Sequence, residues 1–148
     1  MKPTWILVAD SSRARFFVAN SRTELQDIGE LLHPEGRLHE HDMASDEPGR
    51  IASASGEHSY QKHISPKEQE VINFAKSIAS YVEEALNAYK FEQLMIIAEP
   101  KFLGNLRKQL PDKIQNTVSF ELDKNITMLS KEEIIKYLPK RLISSALL

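Results

Sequence analysis

The histidines have the strongest claim to chemistry, because all five of them fall between residues 33 and 63 of a 148-residue chain. In His39-Glu40-His41-Asp42 the two imidazoles would point the same way on a strand. Asp42, His58 or His63 could then complete a metal shell. Neither a helical HExxH run nor a recognised metal spacing accompanies them, so the stretch reads as solvated loop histidine. Arg37, Arg50, His58 and Lys62 lie in the same stretch. With Arg13 and Arg15 upstream, they make a candidate surface for RNA phosphate. Glu35, Glu40, Asp42, Asp46, Glu47 and Glu57 oppose it. A structural use of the charges therefore fits as well: Arg50 clamped by Asp42 or Asp46, with Asp46-Glu47-Pro48-Gly49 as a turn, would hold the segment in one shape.

Carboxylates offer a second chemistry. Asp10 closes the first apolar run and Glu99 closes a later one. Placed side by side, with Glu68 or Glu70, they would form the kind of acid cluster that holds Mg²⁺ for phosphodiester cleavage. Blander roles compete for each of them. Asp10-Ser11-Ser12-Arg13 is turn chemistry, and no glycine frees its backbone to wrap an anion. Ser65-Pro66-Lys67-Glu68 is a helix start, in which Ser65 and Glu68 cap one another and Pro66 fits the first helical position.

The elements that must position these groups are legible in the hydrophobic pattern. Trp5–Ala9 is a continuous apolar run, as expected of a strand buried on both faces. Ala14–Ala19 follows as the second arm of a hairpin, and Leu25–Leu32 as a third strand. Periodicity then stops from His33 to His63, a length that is uncommon for a connection in a small domain. It resumes with Val71, Phe74, Ala75, Ile78, Val82, Ala85, Leu86 and Tyr89, the inner stripe of a long amphipathic helix. Gln93–Ala98 is a second buried strand. Pro100 opens a helix with Phe102, Leu103, Leu106 and Leu110 inward and Pro111 limiting it. Thr117–Leu122 reads as a half-exposed strand with Val118, Phe120 and Leu122 on one side. Ser130-Lys131-Glu132-Glu133 caps a last helix carrying Ile134, Ile135 and Leu138. The order β-β-β-α-β-α-β-α, with right-handed crossovers, predicts a mixed sheet of the ribonuclease-H-like α/β type with one long loop.

Bulk properties narrow the function. A hydrophobic fraction of 41% and a charged fraction of 27% fit one globular domain spanning 1–148. A formal charge of -2 gives no overall pull towards nucleic acid, so RNA contact would need a local patch. The chain has no cysteine, which removes disulfides, thiolate metal sites and a cysteine nucleophile. The run Trp5–Ala9 is too short for a signal peptide, and nothing approaches the ~20 apolar residues of a membrane helix, so a cytoplasmic protein without membrane contact is expected.

Four stretches together resemble the bacterial host-attachment protein family, from Trp5 to about Leu138. They are Trp5-Ile6-Leu7-Val8-Ala9-Asp10 with Ala14-Arg15-Phe16-Phe17; His33-Pro34-Glu35-Gly36-Arg37 with Asp42, Asp46-Glu47-Pro48-Gly49-Arg50 and His58; Glu99-Pro100-Lys101-Phe102-Leu103-Gly104-Asn105-Leu106-Arg107; and Asp123-Lys124-Asn125-Ile126-Thr127. That family is in turn similar to the middle domain of archaeal and eukaryotic class-1 peptide release factors. The resemblance implies a loop before the long helix, here Arg37–Ser65, where release factors carry the Gly-Gly-Gln tip that enters the peptidyl-transferase centre. Gln61 is the only glutamine of that loop, and Ser59-Tyr60 precedes it. A tyrosine denies the backbone the torsions and close RNA approach that glycine gives. The catalytic signature is absent, and Gln61 stands only as a candidate, with no catalytic residue assigned.

The reading is of a non-catalytic or weakly catalytic factor that engages RNA, tRNA or a ribosomal partner through the 37–65 loop and uses no cofactor. The alternatives are a divergent hydrolase, acting on a peptidyl-tRNA ester or a phosphodiester, and an interaction protein that affects host attachment indirectly. The apolar tail Leu142-Ile143-Ser144-Ser145-Ala146-Leu147-Leu148 offers a homodimer contact. Elemental analysis of purified protein should find no stoichiometric transition metal. About one ion per chain would instead assign His39, His41 and Asp42 as ligands.

Overall fold

The computed structural model describes residues 3–21, 24–34 and 64–139. Five strands form one sheet: β1 (Thr4–Asp10), β2 (Arg13–Ser21), β3 (Glu24–Leu32), β4 (Gln93–Ala98) and β5 (Val118–Asp123), in the spatial order β3-β2-β1-β4-β5. β1 pairs antiparallel with β2, and β2 with β3. β4 pairs parallel with β1, and β5 parallel with β4. The sheet is mixed, as the element order predicts. The central β1 is buried along its whole length, which is why its apolar residues do not alternate with polar ones.

Helices α1 (Pro66–Asn87), α2 (Pro100–Gln109) and the short α3 (Asp112–Gln115) cover one face. The other face is covered by the segment after β5, with α4 (Lys131–Ile134) and a 3₁₀ turn (Ile135–Tyr137). Alternation along β1 feeds both cores. Trp5, Leu7 and Ala9 face α1 and α2, whereas Ile6 and Val8 meet Ile126, Ile134 and Leu138. Among the described residues no helix is long and apolar enough to cross a membrane.

The helix starts follow the capping chemistry read from the sequence. Glu68 N–H donates to Ser65 Oγ at 3.1 Å, and Ser65 N–H donates to Glu68 Oε1 at 3.0 Å. Ser130 and Glu133 repeat the arrangement for α4. Each satisfies amides that the first helical turn leaves without partners.

Three local expectations are corrected. Val118, Phe120 and Leu122 do not share a side. The register steps from Leu94↔Val118 to Met95↔Phe120, so Ser119 is an inserted residue, and Val118 packs with the helices while Phe120 and Leu122 pack on the opposite face. Tyr89 is not part of the α1 stripe. It lies past the helix end at φ 60°, is 90% exposed, and lets Lys90 N–H close on Ala85 O at 2.9 Å. Pro111 ends α2 but then opens α3, whose four residues are too few for a periodic signal.

A second register shift, at Ile28, brings Gly29 opposite Phe16. Tyr81 stacks on Phe16 at 4.4 Å and lies within 6.2 Å of Trp5, and its hydroxyl occupies the space where a Cβ on residue 29 would stand. Gly29→Ala should therefore destabilise the chain by about 1–3 kcal/mol through overpacking. Adding Tyr81→Phe, which removes the obstructing oxygen, should recover part of the loss in denaturant titrations. Equal stabilities of Gly29→Ala and the parent chain would show that the contact carries no constraint.

Candidate functional site

The carboxyl ends of the parallel strands β1, β4 and β5 define one edge of the sheet, the place where open α/β sheets bind ligands. Polar groups are concentrated there. Asp10, Ser11, Ser12 and Thr127 are buried, the last at 1% exposure. Asp10 ends β1 and accepts through both carboxyl oxygens. Oδ1 takes the Ser12 backbone N–H at 2.8 Å and the Ser12 hydroxyl at 2.9 Å, and Oδ2 takes the Thr127 hydroxyl at 2.9 Å. A turn between β1 and β2 is thereby tied to a loop 117 residues later.

Arg15 makes the second tie. It stands opposite Val8 on β2, on the face where the 124–130 segment crosses. Its Nη1 donates to Thr127 O at 3.0 Å and to Leu129 O at 2.6 Å, and the guanidinium lies 5.0 Å from the centre of the Phe17 ring. Burial pushes the Arg15 pKa below its ordinary value, and the nearby Arg13 adds to the effect, while Asp27 and Glu30 oppose it. Arg13 pairs with Glu30 through Nε and approaches Met128 Sδ at 3.7 Å through Nη1. Among the described residues, the two arginines expected at a phosphate surface, Arg13 and Arg15, are thus engaged within the chain.

On the helix side of the same edge, His33 N–H donates to Ser12 O at 2.8 Å. The His33 ring stacks on Phe74 at 5.2 Å, with Nδ1 2.8 Å from Ser11 O. A carbonyl can only accept, so Nδ1 carries a proton. Nε2 faces Glu70 Oε1 at 3.9 Å. His33 follows β3 directly and Glu70 lies in the first turns of α1, so the two stems flanking residues 35–63 meet at the Asp10 turn. A groove of about 410 Å³ opens beside them, lined by Ser12, Arg13, Glu30, Leu32, Pro34 and Met128.

The expected acid cluster resolves into separate structural roles. Glu99 N–H donates to Ala9 O at 3.0 Å, which sets Glu99 beside Asp10 in the backbone ladder. Its side chain, however, accepts from Phe102 N–H at 2.8 Å and Lys101 N–H at 3.2 Å as the cap of α2. Glu68 is held in the α1 capping box. Among the described residues no three or more His, Asp or Glu side chains are grouped to hold a metal ion. Arg37, His39, His41, Asp42, Asp46, Gly49, Arg50, His58, Gln61 and Lys62 lie outside the described residues.

Two site residues were not singled out from sequence. Thr127 ends the Asp123–Thr127 stretch, and its partnership with Asp10 is invisible without the topology. His33 precedes Pro34 at the point where periodicity stops, and that placement was the available signal.

The model of the family described as proteins required for attachment to host cells matches residues 5–138. The chain belongs to this family. An uncharacterized protein of Rickettsia prowazekii (strain Madrid E), RP470, is 33% identical over 69 residues, 45% of this chain and 46% of that protein. The chain spans less than half the length of that relative. Two solved structures match 97% of this chain. One is an archaeal protein at TM-score 0.52 and 10% identity, with 36% of its chain covered. The other is the archaeal translation termination factor aRF1 at TM-score 0.51 and 9% identity, with 37% covered. At such identities the likeness is one of fold. The host-attachment family member thus shares its α/β architecture with part of a termination factor.

Arg15→Ala should cost about 1–3 kcal/mol, because two buried-side carbonyls lose their donor. Arg15→Lys should recover only part of that, since an ammonium cannot reproduce the planar donor geometry. Thermal or denaturant unfolding measures both. Full stability of Arg15→Ala would remove this residue from the site's framework.

Proposed function

We propose that this host-attachment family member is a cytoplasmic factor resembling a stand-alone release-factor middle domain, on a ribonuclease-H-like sheet. It engages RNA or a ribosomal partner through residues 37–65. The observation that carries this reading is the rooting of that segment. It leaves β3 at His33, beside the Asp10 turn, and rejoins the chain at the capped start of α1. A fold similar to that of aRF1 extends over nearly the whole chain. Arg37, Arg50, His58 and Lys62 supply the groups that would meet phosphate, and Asp42, Asp46 and Gly49 would shape the segment around Arg50.

Catalysis is not needed for this role. Tyr60-Gln61 replaces the glycine-glutamine tip. The Asp10 and Glu99 carboxyls are occupied in holding Thr127, Ser12 and the α2 amides, which weighs against the phosphodiesterase alternative. The requirement for attachment to host cells that describes the family would then follow indirectly, through effects on translation or through a bound protein.

Sedimentation of the tagged full-length chain from lysate tests the proposal. It should travel with ribosomal particles and be released by ribonuclease. Replacing Arg37, Arg50 and Lys62 together by alanine should weaken the association on the order of 10-fold at moderate salt. Gln61→Ala should leave it intact. Sedimentation as free protein with and without ribonuclease would refute RNA engagement, and association that survives ribonuclease would point to a protein partner instead.

A further inference from the structure

With no cysteine in the chain, its sulfur chemistry rests on Met1, Met43, Met95 and Met128. Met95 and Met128 lie among the described residues and have opposite surroundings: Met95 is fully buried in β4, and Met128 is 70% exposed. Met128 is nevertheless held in place. Its neighbours Thr127 and Leu129 are fixed through their carbonyls by Arg15, and Thr127 is also anchored on Asp10. The Met128 sulfur lies 3.7 Å from Arg13 Nη1, while Arg13 Nε is committed to Glu30. Both side chains line the groove of about 410 Å³ at the base of the 35–63 segment, so a small oxidant reaches the sulfur directly.

We propose that Met128 is an oxidation site responsive to hydroperoxides, and that its sulfoxide is captured by Arg13. A sulfur lone pair attacks one peroxide oxygen, so an S–O bond forms as the O–O bond breaks. The thioether loses two electrons and the peroxide gains them. The departing hydroxide takes the proton from the transferred oxygen and leaves as water. Arg13 Nη1, 3.7 Å from the sulfur, is close enough to donate afterwards to the sulfoxide oxygen, a much stronger acceptor than thioether sulfur. The exposed apolar side chain of a rigid loop becomes a polar one tied to the Arg13–Glu30 pair. The change falls at the edge of the sheet where the proposed RNA-binding segment is rooted, but the chemistry stands independently of that function.

The test treats the full chain with limiting hydrogen peroxide and locates sulfoxides over time by peptide mass mapping. Met128 should oxidise at least on the order of 10-fold faster than Met95, since susceptibility follows exposure. The Arg13 Nε resonance, identified by its loss in Arg13→Lys, should shift on oxidation and return after treatment with methionine sulfoxide reductase. Met128→Leu keeps a side chain of similar volume and should show no shift under the same peroxide. Equal oxidation rates at Met128 and Met95 would overturn the site. An unmoved Arg13 resonance in protein fully oxidised at Met128 would overturn the capture.

Discussion

A buried carboxyl group must have its acceptor capacity filled, and Asp10 fills it with donors from two distant parts of the chain. That requirement organises the edge of the sheet. Ser12 is drawn in from the following turn, which sets the β1–β2 connection. Thr127 is drawn in from beyond β5, which brings Ile126 and Leu129 onto the second face and leaves Met128 outside. Removing the acceptor would strand the Ser12 donors and leave the Thr127 hydroxyl only its local partner, Asn125 Oδ1 at 3.1 Å, so the tie between turn and loop would be lost.

From this anchor the rest of the edge follows. Ser11 and Ser12 offer their carbonyls to His33, so β3 ends against the same turn. His33 stacks on Phe74 and faces Glu70, so the start of α1 is brought to the same place. Arg15 completes the frame from the opposite face by holding two carbonyls of the 124–130 loop. The segment 35–63 is thus mounted between two firmly positioned ends. At this edge the Asp10 and Glu99 carboxyls are committed to hydrogen bonds within the chain.

Much of this was legible in sequence, and the reasons differ by element. β1 and β4 are buried on both faces and therefore read as unbroken apolar runs, while α1 announces itself by the Ser65–Glu68 cap and a long stripe. Asp10 was readable as a turn residue because Ser11-Ser12 follows it. Its bond to Thr127 was not, because a contact across 117 residues depends on topology. The side-swap at Ser119 was hidden because a bulge preserves composition while reversing faces. Tyr89 misled because a helix stripe continued by one step looks the same whether or not the chain has already turned. For Arg13 and Arg15 the sequence shows the charge but not their partners within the chain, Glu30 and the carbonyls of Thr127 and Leu129, which depend on the topology.

The anchor between Asp10 and Thr127 is tested most directly by a double-mutant cycle on unfolding stability with Asp10→Ala, Thr127→Val and the pair. If the hydrogen bond ties the turn to the loop, the two changes are strongly non-additive, with a coupling energy of about 1–2 kcal/mol. Additivity to within about 0.3 kcal/mol would show that the two residues act independently, and the edge would then need a different organiser.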